Sequence, residues 1–351
     1  MKSNKLLTLL VLSMIIFSCT DDEDPVEKTK GDYEFGYFIT NEGPFQNGSG
    51  TLTFVGDDGN VQQEVYKTVN GENLGNIVNS MFIDGDRAYI VVNNSSRVVV
   101  VNRNTMEKIA VIEGNGVEQP RHFVAIDGTG YLSNWGDPFD PTDDFITVID
   151  LATYEVQGTI SVGEGPERML ATSTGLFVTL QGGFGQNNEV VVIDPASNQI
   201  ARNIEVGDVP NSLQDDGLGH VWVLCGGNPS FTGSETSGKL YKILLSDLST
   251  TYQEFGPTDH PGLLNFDSGQ LYYLLNGQVF RMNPGVAELP EDGIAGLEGF
   301  YYSMTVENGE LYGADAGDFA SEGIVKVFNV NSGALLNTIE AGIVPGQVVF
   351  P

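Results

Sequence analysis

One short unit recurs seven times along this chain. An aromatic anchor sits in an apolar segment at Tyr37 (GYFITN), Tyr89 (AYIVVN), Tyr131 (GYLSNW), Phe177 (LFVTLQ), Trp222 (VWVLCG), Tyr272 (LYYLLN) and Tyr312 (LYGADA). Successive anchors lie 40 to 52 residues apart, with a mean near 46. Each is followed by a second apolar run: TLTFV, RVVVVN, FITVID, EVVVID, KLYKIL, QVFRM and IVKVFN. Several of these alternate apolar and polar residues, as a half-buried strand does, and none repeats at the helical period. A turn then appears, such as Asn102-Arg103-Asn104, Asp150-Leu151-Ala152, Asp194-Pro195-Ala196 or Asn329-Val330-Asn331. A third strand follows, as in TISVG (159–163) and NIEVG (203–207). A short loop comes next, usually with proline: Gln119-Pro120-Arg121, Gly165-Pro166-Glu167, Val209-Pro210-Asn211, His260-Pro261-Gly262 and Val344-Pro345-Gly346. A fourth strand leads into the next anchor.

Four short strands at a period of 40–50 residues make a propeller blade. The expected fold is therefore all-β, a seven-bladed β-propeller of four-stranded blades over residues 33–351. The 44 glycines suit so many turns. The units around Tyr272 and Gly299-Phe300-Tyr301 are the most degenerate, which leaves counts of six or eight open. Residues 346–351 read as the first strand of a unit with none after it. The first unit begins at Tyr33 with what should be a second strand. The C-terminal strand is thus expected to join the N-terminal blade and close the ring, which removes exposed sheet edges.

Charge narrows the partners. There are 16 Lys+Arg against 47 Asp+Glu, a net of −31. That argues against nucleic acid, which rewards clustered cations, and against electrostatic docking to anionic lipid. The acidity also serves solubility. Of two cysteines, Cys19 and Cys225, the first lies in an export signal. The folded part then has one thiol, so neither an internal disulfide nor a thiolate-built metal site is expected.

The first residues read as an address. Lys2 and Lys5 precede a predominantly apolar run from Leu6 to Phe17, too short to span a bilayer comfortably. Ser18-Cys19 follows, and Ile16-Phe17-Ser18-Cys19 resembles a loose lipobox. Residues 1–18 are then a lipoprotein signal peptide, cut before a lipidated Cys19. Residues 19–32 form an acidic tether opening Thr20-Asp21-Asp22-Glu23-Asp24. That tract resembles the surface-export signal of Bacteroidota lipoproteins. The resemblance implies an outer-membrane lipoprotein held to the membrane by its lipid alone and exposed at the cell surface, with the periplasmic face of that membrane as the alternative.

The stretch GEGPERMLATSTGLFVTLQGGFGQNNEVVVIDPASNQIARNIEVGDVPNSL (163–213) resembles the YVTN-type propellers. The segments FITNEGPFQNGSGTLTF and NSMFIDGDRAYIVVNNSSRVVVVN resemble surface propeller lipoproteins of Bacteroidota. That group includes cobalamin-capturing partners of outer-membrane transporters. The resemblance implies a corrinoid ligand and a TonB-dependent transporter as partner, with no cofactor of its own.

In such a ring two sets of loops meet on one face. The loops before the innermost strands supply Asn79, Arg121, His122, Glu167, Arg168, Asn211, Tyr301 and Gln347. Those after the anchor strands supply Asn41, Asn93, Trp135, Gln181, Asn228 and Asn276. The same loops carry aromatics among Gly, Asn, Ser and Asp: Phe45, Trp135 with Phe139, Phe184, Phe231 and Phe319. Strand pairing does not call for rings there. They either staple their own loops or form a recognition face with adaptable polar neighbours.

The residues give catalysis little support. The histidines are His122, His220 and His260. His220 reads as a turn residue, while His122 and His260 are candidates to face the funnel. The acidic run Asp137, Asp140, Asp143 and Asp144 matches no calcium-loop spacing. Glu167-Arg168 reads as a structural ion pair, and Cys225 as an inert buried thiol. No nucleophile elbow, P-loop or dinucleotide fingerprint is present. A binding protein is therefore expected rather than an enzyme. An adhesion module for glycan or protein, or a propeller-type hydrolase or lyase using His122, Glu167 or His260, stays open.

Overall fold

Each anchor segment forms the second strand of a blade and pairs antiparallel with the strands on either side. The computed structural model describes residues 30–45 and 48–351. The expected signal peptide, Cys19 and most of the tether lie outside the described residues. Residues 30–32 rest on the second blade, where the Tyr33 amide donates to the Asn104 carbonyl.

Seven antiparallel sheets form the ring. Their innermost strands are Pro345–Val349, Val78–Asp84, Pro120–Ile126, Pro166–Thr172, Pro210–Asp215, Gly262–Asp267 and Ser303–Glu307. The first blade is composite. Strand Pro345–Val349 pairs with Gly36–Asn41, which pairs with Thr51–Gly56 and then Val61–Gln62. The expected closure by the C-terminal strand is present.

The sixth blade departs from the regular pattern. Its ordered ladder has three strands, ending at Gln278–Met282. The outer place is held by an irregular segment with one bridge between Gln278 and Glu298. Bonds from the Val279 amide to Leu297 and from the Ile294 amide to Val279 hold it there.

The anchors are the core. Tyr89, Tyr131, Phe177, Trp222, Tyr272 and Tyr312 are buried, and Tyr37 is half-buried. They fill the spaces between blades, as where Tyr89 stacks on Phe123 of the next blade at 4.3 Å. Each such burial stabilises by about 1.5–3 kcal/mol. The expected third-to-outer turns share one device. The side-chain oxygen of Asn102, Asp150, Asp194 or Asn329 accepts amides two or three residues on. The residue four places along turns left-handed, at Met106, Tyr154, Asn198 and Gly333, and closes the turn. Regular structure outside the sheets is the helix Val65–Asn70 and the turn of 3-10 helix Ser230–Thr232.

Candidate ligand-binding site

The innermost strands begin irregularly, and the irregularity makes the site. In six of them the pairing with the second strand shifts register near the top. The residues at the shift are Asn79, Arg121-His122, Glu167-Arg168, Asn211, Leu263-Leu264 and Gly346-Gln347. A bulge re-aims side chains that a regular pleat would send into the sheet. Three bulges are pinned alike. The amides of His122, Arg168 and Gln347 donate to the hydroxyls of Ser133, Thr179 and Thr40, each fully buried on the second strand. Just ahead of five strands the backbone turns left-handed, at Ile77, Gln119, Gly165, Val209 and Val344. Three of these are β-branched, for which the conformation is strained. In each case the carbonyl is taken by an amide of the neighbouring top loop: Asn93, Trp135, Gln181, Gly226 and Glu42 in turn.

These bulges surround a polar cavity of about 550 Å³ on the axis, lined from all seven innermost strands. Arg121 grips Glu167 with two bonds, Nε to Oε2 at 2.8 Å and a terminal nitrogen to Oε1 at 2.9 Å. The His122 Nε2 lies 3.4 Å from the same Oε1. Burial would raise the Glu167 pKa, but Arg121 and His122 outweigh it and hold the carboxyl well below its usual range. His122 is pushed down to about 4, first by burial and then by Arg168, and is neutral at pH 7. Across the cavity, Tyr302 donates to Glu42 at 2.7 Å. Burial raises the Glu42 pKa.

Above the axis the loops build an apolar basin of about 1030 Å³, walled by Phe45, Trp135, Phe139, Phe184, Phe319 and Tyr302. Phe184 meets Trp135 edge-on at 6.0 Å and stacks on Phe139 at 5.5 Å. Tyr302 meets Phe319 edge-on at 5.6 Å. The Arg121 guanidinium lies 4.2 Å over the Trp135 ring. Phe45, Phe139 and Phe184 are 70–83% exposed. Glu42, Asn79, Arg121 and Tyr302 line both spaces, so basin and cavity are continuous. A further hollow of about 700 Å³ lies outward between Phe184, Phe231 and Pro229.

Residues 35–255 match a family described as a domain of unknown function, DUF5074. The chain belongs to the DUF5074 family. The matched region ends with the fifth blade, one residue past its outer strand Thr250–Glu254. No curated protein matches the sequence. Among solved structures, a quinonprotein alcohol dehydrogenase-like protein from Bacteroides thetaiotaomicron is similar at 14% identity and TM-score 0.63, over 91% of this chain and 78% of that one. The computationally designed Ika8 protein is similar at 11% identity and TM-score 0.60, over 88% and 86%. Hydrazine synthase from Kuenenia stuttgartiensis is similar at 15% identity and TM-score 0.57, over 84% and 90%. At such identities the likeness shows the fold alone.

In this DUF5074 protein the structure gathers many of the expected residues. Asn79, Arg121, His122, Glu167, Arg168, Gln181, Asn211 and Gln347 line the axial cavity. Asn93, Trp135 and Phe184 line the basin, and Phe231 the outer hollow. Several expectations are corrected. Tyr301 is buried against Phe328 between blades, and its neighbour Tyr302 faces the cavity instead. Asn41 is buried, its amide donating to Thr51 and Thr53 and accepting from Gly342. Asn228 is buried under its own loop, held to Thr236, and lines none of the three spaces. Asn276 sits in the rim, bonded to Asp259. His260 bonds Gly226 and Glu235 and lines neither the cavity nor the basin, against the reading that aimed it at the funnel. Glu167-Arg168 is not an ion pair, because Glu167 is taken by Arg121 of the previous blade. Sequence reasoning missed Glu42 and Tyr302, each one residue from a residue it named.

His220 opens the strand His220–Cys225 rather than lying in the turn before it, with its ring bonded to Asp216, and Cys225 at the other end of that strand is fully buried with its thiol pushed up to about 12 by burial. Among the described residues, no cluster of three or more His, Cys, Asp and Glu is arranged to hold a metal ion.

Proposed function

We propose that this chain captures a large, flat, amide-rich small molecule on its top face, and that the molecule is a corrinoid passed to a TonB-dependent transporter. The observation that carries the reading is the continuity of the aromatic basin with the polar cavity beneath it. An apolar hollow with a few convergent polar groups is the usual form of a small-molecule site. Exposed rings clustered on one face are costly to leave in water without a partner. A corrinoid offers broad ring surface to the basin and peripheral amides to Asn79, Gln181, Asn211 and Gln347. The outer hollow with Phe231 at its edge stays open for a protein partner. Lipidation of Cys19 and display at the cell surface complete the proposal.

Binding without turnover fits the groups present. Glu167 is locked in a two-point ion pair, and His122 is too weak a base at neutral pH for efficient proton transfer. The test is calorimetric titration of residues 31–351 with cyanocobalamin. We expect one-to-one binding, weakened at least tenfold by Trp135→Ala. No heat and no thermal shift would remove the corrinoid and make a glycan or protein the partner to seek.

A further inference from the structure

Among the described residues, Arg168 is a cation with no carboxylate in ion-pair contact. It sits in the bulge of the fourth blade and lines the axial cavity. Its backbone is fixed twice by Thr179, whose hydroxyl accepts from the Arg168 amide at 3.1 Å and donates to its carbonyl at 3.4 Å. Its guanidinium has no hydrogen bond and no carboxylate within 4.0 Å among the described residues. The nearest acid in sequence, Glu167, is fully engaged by Arg121 and His122. Glu42, the other acid of the wall, acts on Arg121 and bonds Tyr302.

The environment is not bulk water. The residue keeps some surface toward the cavity, yet burial desolvates the charge enough to lower its pKa, against attraction from Glu167 and with added repulsion from Arg121. The guanidinium faces the cavity with its five N–H donors free for solvent or a ligand to meet. His122 is neutral and gives no compensation. An anion seated here would meet Arg168 directly, with Arg121 and the amides of Gln181 and Asn211 in the same wall.

We propose that the axial cavity is an anion subsite, in which Arg168 binds a carboxylate or phosphate group of a ligand whose apolar or ring-bearing part lies in the aromatic basin above. This deepens the functional reading and rests on it. The ligand is thereby an amphiphile of defined polarity, ring surface outward and acid inward. A planar guanidinium suits both anions because it offers paired donors.

The experiment compares 2-naphthoate with the neutral isostere 2-naphthamide, titrated into purified protein while Trp135 fluorescence is followed. Wild type is expected to bind naphthoate at least tenfold more tightly than naphthamide. Arg168→Met should abolish that preference. Exposed Arg202→Gln should keep it. Thermal melts guard against a folding artefact: Arg168→Met should melt at or above the wild-type temperature, since it removes an unmatched charge. Inorganic phosphate should raise the wild-type melting temperature more than that of Arg168→Met. Equal binding of the two probes to wild type overturns the anion subsite and leaves the basin reading intact. A preference that survives in Arg168→Met also overturns it. If neither probe binds, the anion subsite falls, while the functional reading is decided separately by the cyanocobalamin titration.

Discussion

Glu167 shows how much one side chain carries at the axis. It is nearly inaccessible, bridges the third and fourth blades through Arg121, and touches His122. Breaking a buried ion pair from one side costs about 3–5 kcal/mol, because the other charge is left behind. Glu167→Gln would leave Arg121 unmatched beside an already unmatched Arg168. We expect its melting temperature at pH 7 to fall by on the order of 10 °C. The sign with pH follows from the depressed carboxyl. Its stabilisation is present above the ordinary glutamate pKa of about 4.3 and is lost as pH falls toward the lower folded value. A Glu167→Gln protein that melts with wild type at pH 7 would show that the pair contributes nothing net. The residue scale is also where sequence reading slipped. Tyr301 and Tyr302 are adjacent in the irregular segment just ahead of strand Ser303–Glu307, one turned into the core and the other toward the cavity. The degenerate sixth-to-seventh junction offers no alternation to choose between them, so the tyrosine named for the site is in the core. Asn41 misled for another reason. An amide at a strand end looks free in sequence, but Thr51, Thr53 and Gly342 use it to satisfy buried groups.

At the scale of elements, the loop 135–144 joins the second and third strands of the third blade and carries Trp135 and Phe139. Its far end is tied down by Asp144, which accepts from the Gly165 amide at 3.2 Å. Burial pushes that carboxyl up to about 7, with Asp143, Glu164 and Asp140 adding repulsion. A raised carboxyl is neutral in the fold and ionised in the unfolded chain, so stability should decline as pH rises from about 4 to about 7. Melting curves at pH 5, 6, 7 and 8 should show this decline in wild type and a shallower one in Asp144→Asn. Equal slopes would assign the trend to the overall negative charge instead. The strands themselves were legible in the sequence, since every anchor proved to be a second strand. The bulges were not. They need a partner strand to define a register, and one sequence read alone supplies no partner. Their only trace was the proline before Arg121, Glu167, Asn211 and Gly346, together with buried Ser133, Thr179 and Thr40 on the facing strands.

The whole molecule is a ring closed by its last strand, and that strand contributes Gly346 and Gln347 to the cavity wall. The Gln347 side-chain oxygen accepts from the Met81 amide of the second blade, so it also ties the first blade to its neighbour. Deleting residues 346–351 should leave Gly36–Asn41 as an open edge and remove the cooperative melt. A truncated protein that melts like the full chain would refute the closure as a stabilising element. Blade count and closure were readable because repetition along the chain and the half-unit at each end are properties of sequence order. The strained turns at Ile77, Val209 and Val344 were invisible, since nothing in those residue types announces a left-handed backbone.

The composite first blade sets an order of events. A chain emerging from the ribosome holds the second, third and outer strands of that blade long before it holds the innermost one. Until the final residues arrive, the axis is a gapped arc and the hollow at its centre has no complete wall. A complete cavity wall is therefore withheld from every chain that lacks the strand Pro345–Val349.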